Sequence, residues 1–198
     1  MKKITSKEWE IICSENPTNA ELVWFLKKSN KNNEAANILL SKNPNISELR
    51  YIIHFSNNDL QKDSASLFLL EHKHSDYSNY DLSLIIKHSD KYREIAAFNL
   101  MYRHPTNEEL LTIIKHTSFK EIAFEKLLKI GASNMDLIYL MEFTSFKDKA
   151  AEQLLKQAPE MGELRQVLKF SKLTDQAKEM MYRENQRFID KTIRNYGY

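Results

Sequence analysis

Six alanines follow six leucines at nearly fixed distances, and this double register constrains the 198-residue chain more than any other feature. The leucines are Leu22, Leu49, Leu82, Leu110, Leu137 and Leu164, spaced 27, 33, 28, 27 and 27 residues apart. The alanines are Ala35, Ala65, Ala96, Ala123, Ala150 and Ala177; four of the offsets are 13, and the others are 16 and 14. All four prolines (Pro17, Pro44, Pro105, Pro159) stand five residues before a leucine. A period of this length marks stacked supersecondary units that cannot bury their apolar faces alone.

Each unit reads as two helices. After the leucine, apolar residues recur three and four positions on, as in Leu49/Ile52/Ile53, Leu82/Ile85/Ile86 and Leu110/Ile113/Ile114. That is one stripe of a 3.6-residue period. Four residues before the leucine stand Thr18, Asn45, Ser78, Thr106 and Ser133, and an acidic residue always directly precedes it. Thr18-x-x-Glu21 and Thr106-x-x-Glu109 are capping boxes, in which each side chain satisfies the other residue's free N–H. The spacing predicts first helices near 19–29, 46–56, 79–89, 107–117, 134–144 and 161–171. The second helix carries the alanine and then an apolar pair, such as Leu69/Leu70 or Leu127/Leu128. Asn16, Asn43, Asp76 and Gly131 tolerate the left-handed conformation that ends a helix, and proline follows in four units.

The expected architecture is an all-α solenoid, a superhelix of six two-helix repeats of about 27 residues with capping helices at both ends. The repeats run 16–42, 43–75, 76–103, 104–130, 131–157 and 158–184, within a single 1–198 domain. Residues 1–15 read as an N-terminal cap helix. Residues 185–198 read as a C-terminal cap, with Ile189, Ile193 and Tyr196 on one face.

The phrase Asn-Pro-x-x-x-Glu-Leu at 16–22 and 43–49 resembles that of the leucine-rich-repeat-variant family, and more loosely the HEAT-like repeats. The resemblance spans roughly residues 16–182 and implies a right-handed superhelix and a role as a binding scaffold. This unit is longer than that family's. The cysteine cluster of its iron–sulfur branch is absent, since Cys13 is the one cysteine, so no cofactor carries over.

A net charge of +2 gives no general pull toward nucleic acid or anionic membrane. A lone cysteine excludes an internal disulfide, and no apolar run resembles a signal peptide or reaches the ~20 residues of a membrane span; the expected compartment is the cytoplasm. His72 and His74 lie one residue apart, but no His-x-x-x-His pair or second cysteine accompanies them. No phosphate-binding glycine loop or nucleophile motif occurs. The expectation is a protein without enzymatic activity, metal or cofactor.

Two columns of the first helix suggest a binding surface. Five residues after the leucine come Lys27, His54, Lys87, Lys115, Glu142 and Lys169; two after it come Trp24, Tyr51, Leu84, Thr112, Tyr139 and Gln166. At 100° per residue both columns face away from the leucine stripe. The expected contact surface is Trp24, Lys27, Tyr51, His54, Lys87, Lys115, Tyr139 and Lys169, and the expected role is a protein–protein interaction scaffold. Nucleic-acid binding, in the manner of HEAT-like DNA glycosylases, is the alternative, because aromatics interleaved with lysines stack on bases. Lysine at a helix C-terminus also complements the helix dipole, which predicts the basic column without any partner. The inserted residues at 71–79 form a further candidate loop.

Overall fold

A computed structural model describes residues 2–71 and 77–196, with side chains as far as Arg194. The centre of the 71–79 insertion, with His72, His74 and the stop residue Asp76, lies outside the described residues, as does the side chain of Tyr196. The described residues form thirteen helices: α1 (Ser6–Ser14), α2 (Asn19–Lys28), α3 (Asn32–Ser41), α4 (Ile46–Phe55), α5 (Asp59–Glu71), α6 (Asn79–His88), α7 (Arg93–Met101), α8 (Asn107–His116), α9 (Lys120–Ile130), α10 (Asn134–Phe143), α11 (Lys147–Lys156), α12 (Met161–Phe170) and α13 (Thr174–Tyr196). Successive pairs pack together, α2 with α3, α4 with α5, α6 with α7, α10 with α11 and α12 with α13, and the even-numbered first helices lie within a residue of the spans read from sequence. No strand forms among the described residues; one isolated bridge joins Lys2 to Ser29 across the turn after α2.

Capping boxes start the first helices. Glu21 accepts from the Thr18 N–H at 2.8 Å while Thr18 accepts from the Glu21 N–H at 3.3 Å, and Asn45/Glu48, Ser78/Asp81 and Thr106/Glu109 repeat the exchange. Thr5 and Glu8 do the same for α1. The C-cap Ser or Thr then turns the chain: Ser29, Ser56, Thr117, Thr144 and Ser171 each accept from a backbone N–H two residues later. That satisfies donors at the start of the second helix and keeps the hairpin tight.

The alanine column is the tight seam. Ala35, Ala65, Ala96, Ala123, Ala150 and Ala177 are all fully buried, and so are the six register leucines. A methyl side chain there lets the paired helix backbones approach closely.

Contacts divide the chain into two compact units, Met1–Lys126 and Leu127–Tyr198, with the division inside α9. Within the first unit α2, α4, α6 and α8 pack side by side, and within the second α10 packs on α12. Two hydrogen-bond ladders tie neighbouring repeats. In one, Asn19 donates to Glu48 at 3.0 Å, Asn79 to Glu109 at 3.2 Å and Asn134 to Glu163 at 2.8 Å. Repeat two has Ile46 in the asparagine column; there Arg50 instead reaches Asp81 through two bonds of 2.5 and 2.8 Å. In the other ladder, residues early in the second helix accept from the next repeat's interhelix turn: Asn33 from the Asn57 N–H, Asp63 from the Ser89 hydroxyl, Glu94 from Ser118 and Asp148 from the Lys172 N–H.

Two features differ from the reading of the sequence. Residues 185–196 form no separate cap, because α13 runs unbroken from Thr174 to Tyr196. No glycine, proline or asparagine in a left-handed conformation stops it, and from Tyr182 to Arg194 every residue is exposed. Second, the left-handed stop extends beyond Asn16, Asn43 and Gly131 (φ 52°, 50° and 109°) to His104 and Ala158 (φ 53° and 50°). For alanine this conformation is strained. Ala158→Gly should therefore stabilise the fold by about 0.5–1 kcal/mol, the relief of ~1–2 kcal/mol of left-handed strain less ~0.5–1 kcal/mol of added chain entropy. A raised urea midpoint at unchanged slope is the expected result.

Candidate functional site

The first unit brings four C-terminal helix ends together along one edge. The helices run parallel, because their N-terminal halves are tied by Asn19–Glu48, Arg50–Asp81 and Asn79–Glu109, while their C-terminal ends also touch. There the Lys27 ammonium sits 4.1 Å from the centre of the Tyr51 ring, and the His54 and His88 rings meet edge to face at 5.3 Å. The last turns of α2, α4, α6 and α8 carry Lys27, Lys28, His54, Lys87, His88, Lys115 and His116 and no acidic residue. Among the described residues, Lys28, Lys87 and Lys115 have no carboxylate partner.

Electrostatics along this edge are cationic. Burial holds the imidazole of His88 below its ordinary range, and the charges adding to the effect are His54, Lys62, Lys87 and His116. Burial acts first on His116 too, followed by Lys115, Arg93 and Lys87. Every charge that perturbs either ring is positive, so the positive potential spans α4, α5, α6 and α8.

Beside the edge lie two open hollows that share His54 and Tyr80. One, of about 300 Å³, is lined by Ser47, Arg50, Tyr51, His54, Phe55 and Tyr80. The other, of about 250 Å³, includes His54, Tyr80, Lys87 and His88 and, at its far side, Glu108 and Glu109 at the start of α8. The two adjoin as a shallow groove across α4, α6 and α8.

The structure redistributes the residues picked out from sequence. Tyr51, His54 and Lys87 come together on the groove, with Lys27 against Tyr51. Trp24 is 44% exposed, stacks edge-on against Phe25 and has the Lys2 ammonium 5.8 Å away. Lys115 is exposed at the end of α8. Tyr139 and Lys169 belong to the second unit, against Phe143 and Phe170 respectively. The aromatic column is not a solvent-facing row: Leu84 and Thr112 are buried and Tyr51 is half-buried. With first helices packed side by side, a position about 200° from the leucine faces the neighbouring repeat instead of water.

Two features of the surface were not read from sequence. Tyr80, 62% exposed, belongs to both hollows yet lies outside the two columns. On α7, Ile95, Phe98 and Tyr102 form an exposed apolar stripe, 53%, 50% and 74% accessible. The corresponding positions in repeat one are Glu34, Asn37 and Ser41, and in repeat five Lys149, Glu152 and Lys156. A comparison of outer columns between repeats carries that signal.

Among the described residues no three His, Cys, Asp or Glu side chains cluster as a metal ion would require, and no helix is long and apolar enough to cross a membrane. No family model, no curated protein and no solved structure matches this chain.

Proposed function

We propose that this protein is a non-catalytic interaction scaffold whose first-helix face binds a protein partner. The groove across α4, α6 and α8 carries the reading: it is open, shaped by parallel repeats, and holds the exposed ring of Tyr80 and the unpaired Lys87, with the exposed Trp24 ring further along the same series of first helices on α2. Stacked helical repeats present such extended surfaces, with affinity concentrated in a few aromatic anchors. Trp24, Tyr51 and Tyr80 are the anchors, and Lys27, His54, Lys87 and Lys115 supply steering charge. Tyr139 and Lys169 hold the matching columns in the second unit.

A photo-crosslinking residue at His54, used in the native host, identifies the partner by mass spectrometry, and the purified pair is then titrated. Trp24→Ala combined with Tyr51→Ala should weaken binding by about 2 kcal/mol or more, mainly through faster dissociation. Phe98→Ser on the α7 stripe should leave affinity unchanged. The reverse pattern, loss with Phe98→Ser and none with the double variant, defeats the proposal. Salt separates the alternative class: nucleic acid would bind with a steep salt slope set by the phosphates neutralised, whereas a protein held by rings responds weakly.

A further inference from the structure

We infer that the ligand of the first unit's basic edge is an extended acidic peptide segment with a carboxylate at every third residue. The inference rests on the first-helix face being the binding surface and adds the chemistry and spacing of what it binds.

The edge is periodic. Lys27 and Lys28, His54, Lys87 and Lys115 stand at the ends of four parallel helices packed side by side. Packed helices lie ~8–10 Å apart, so these hydrogen-bond donors, lysine ammonium groups on three helices and the His54 imidazole on the fourth, repeat at about that interval. An extended polyproline-II chain advances ~3.1 Å per residue with three residues per turn, so every third side chain points the same way about 9.3 Å further on. The two periods match. A strand repeats a face every ~7 Å, short of the spacing, and an α-helix needs about seven residues to return to the same face ~10.5 Å on, so a carboxylate at every third residue fits the helix ends in the polyproline-II form alone.

The charges are available. Lys28, Lys87 and Lys115 have no carboxylate partner among the described residues, and the acidic residues of these helices are confined to their first turns, where the capping boxes hold Glu21, Glu48, Asp81 and Glu109. The face is therefore polarised along the helix axes, acidic at one edge and basic at the other. On the acidic edge the capping boxes occupy four of the carboxylates, with Glu108 beside them outside any box, while the lysines of the basic edge stand without carboxylate partners among the described residues. The second unit lacks this continuity, because Glu142 occupies the column on α10.

The experiment uses the full chain and fluorescence anisotropy at low salt. The probe is a labelled peptide of four Glu-Pro-Ser triplets, and its control has the same residues with the glutamates contiguous. The triplet peptide should bind at least about fivefold tighter, since the contiguous one cannot reach successive helix ends. Lys87→Gln with Lys115→Gln should weaken it about tenfold, the effect of two lost exposed pairs in a multivalent contact. Lys129→Gln with Lys149→Gln should leave it unchanged. Because these side chains are exposed, the thermal midpoint serves as a check that each variant stays folded. Equal affinity for the two peptides overturns the inference, as does indifference to the Lys87/Lys115 pair or stronger competition by an oligothymidylate of similar length. If the peptides fail while the partner crosslinked at His54 still depends on Trp24 and Tyr51, the carboxylate spacing is wrong and the face is right; if both fail, both readings fall.

Discussion

Arg50→Met should destabilise the protein by about 2–3 kcal/mol, more than any other single charge removed from its surface. Asp81 is fully buried, and its carboxylate accepts both from the Arg50 guanidinium and from the Ser78 N–H at 2.7 Å. Removing the arginine leaves a buried anion with only its capping bonds. The loss falls short of the ~3–5 kcal/mol typical of a wholly buried pair because the Arg50 side chain is 34% exposed. Burial pushes the Asp81 carboxyl upward, but the bonds from Arg50 and Ser78 outweigh it, and its pKa lies below the ordinary carboxylate value. The resulting stabilisation is complete above that ordinary value and is lost as pH falls through the lower folded one. The gap between wild type and Arg50→Met should therefore be largest near neutral pH and shrink on acidification. Urea unfolding at about pH 7 and about pH 3 measures it; a gap independent of pH would show that the ion pair contributes little.

Ala150→Leu should cost about 1–3 kcal/mol, whereas Lys149→Leu, one residue earlier on the same helix, should leave the midpoint within the usual range for surface changes. Ala150 is fully buried where α11 meets α10, and Lys149 is exposed. The two variants place the same side chain on the same helix, and the differences in helix propensity between Ala, Lys and Leu are only about a few tenths of a kcal/mol, so a larger gap reports the seam. Thermal unfolding decides it, and equal midpoints would mean that the alanine column is not a packing constraint.

Helix positions were legible because each local signal agreed with the next. Thr18 and Glu21 announce a start, Leu22 and Leu26 give the buried stripe, and Ser29 closes the turn. Such short-range chemistry repeats in every unit and needs no knowledge of what lies across the interface. What lies across it decides the surface, and there the sequence misled. Thr112 and Leu84 sit at the same helical angle as Trp24, yet they are covered by neighbouring helices while Trp24 on the outermost first helix is not. Asn19, Asn79 and Asn134 each reach the following unit's capping carboxylate, and nothing local to those residues says so. His104 and Ala158 were missed as left-handed stops because neither side chain announces that conformation as asparagine or glycine does.

The hydrogen bonds between repeats bear on how such a chain can change in length. Where Asn19 meets Glu48, donor and acceptor occupy fixed positions in the unit, and repeat one carries both types itself, as Asn19 and Glu21. A gene segment duplicated in tandem there would encode its own new junction at once. The join between repeats two and three is different. Ile46 offers no amide, the acceptor is the shorter Asp81, and Arg50 spans the distance. A copy of repeat two inserted after itself would set Arg50 against the longer Glu48 and leave Ile46 facing it, a poorer fit on both sides. That pair would therefore mark a join at which duplication starts with a misfit that later substitutions must repair.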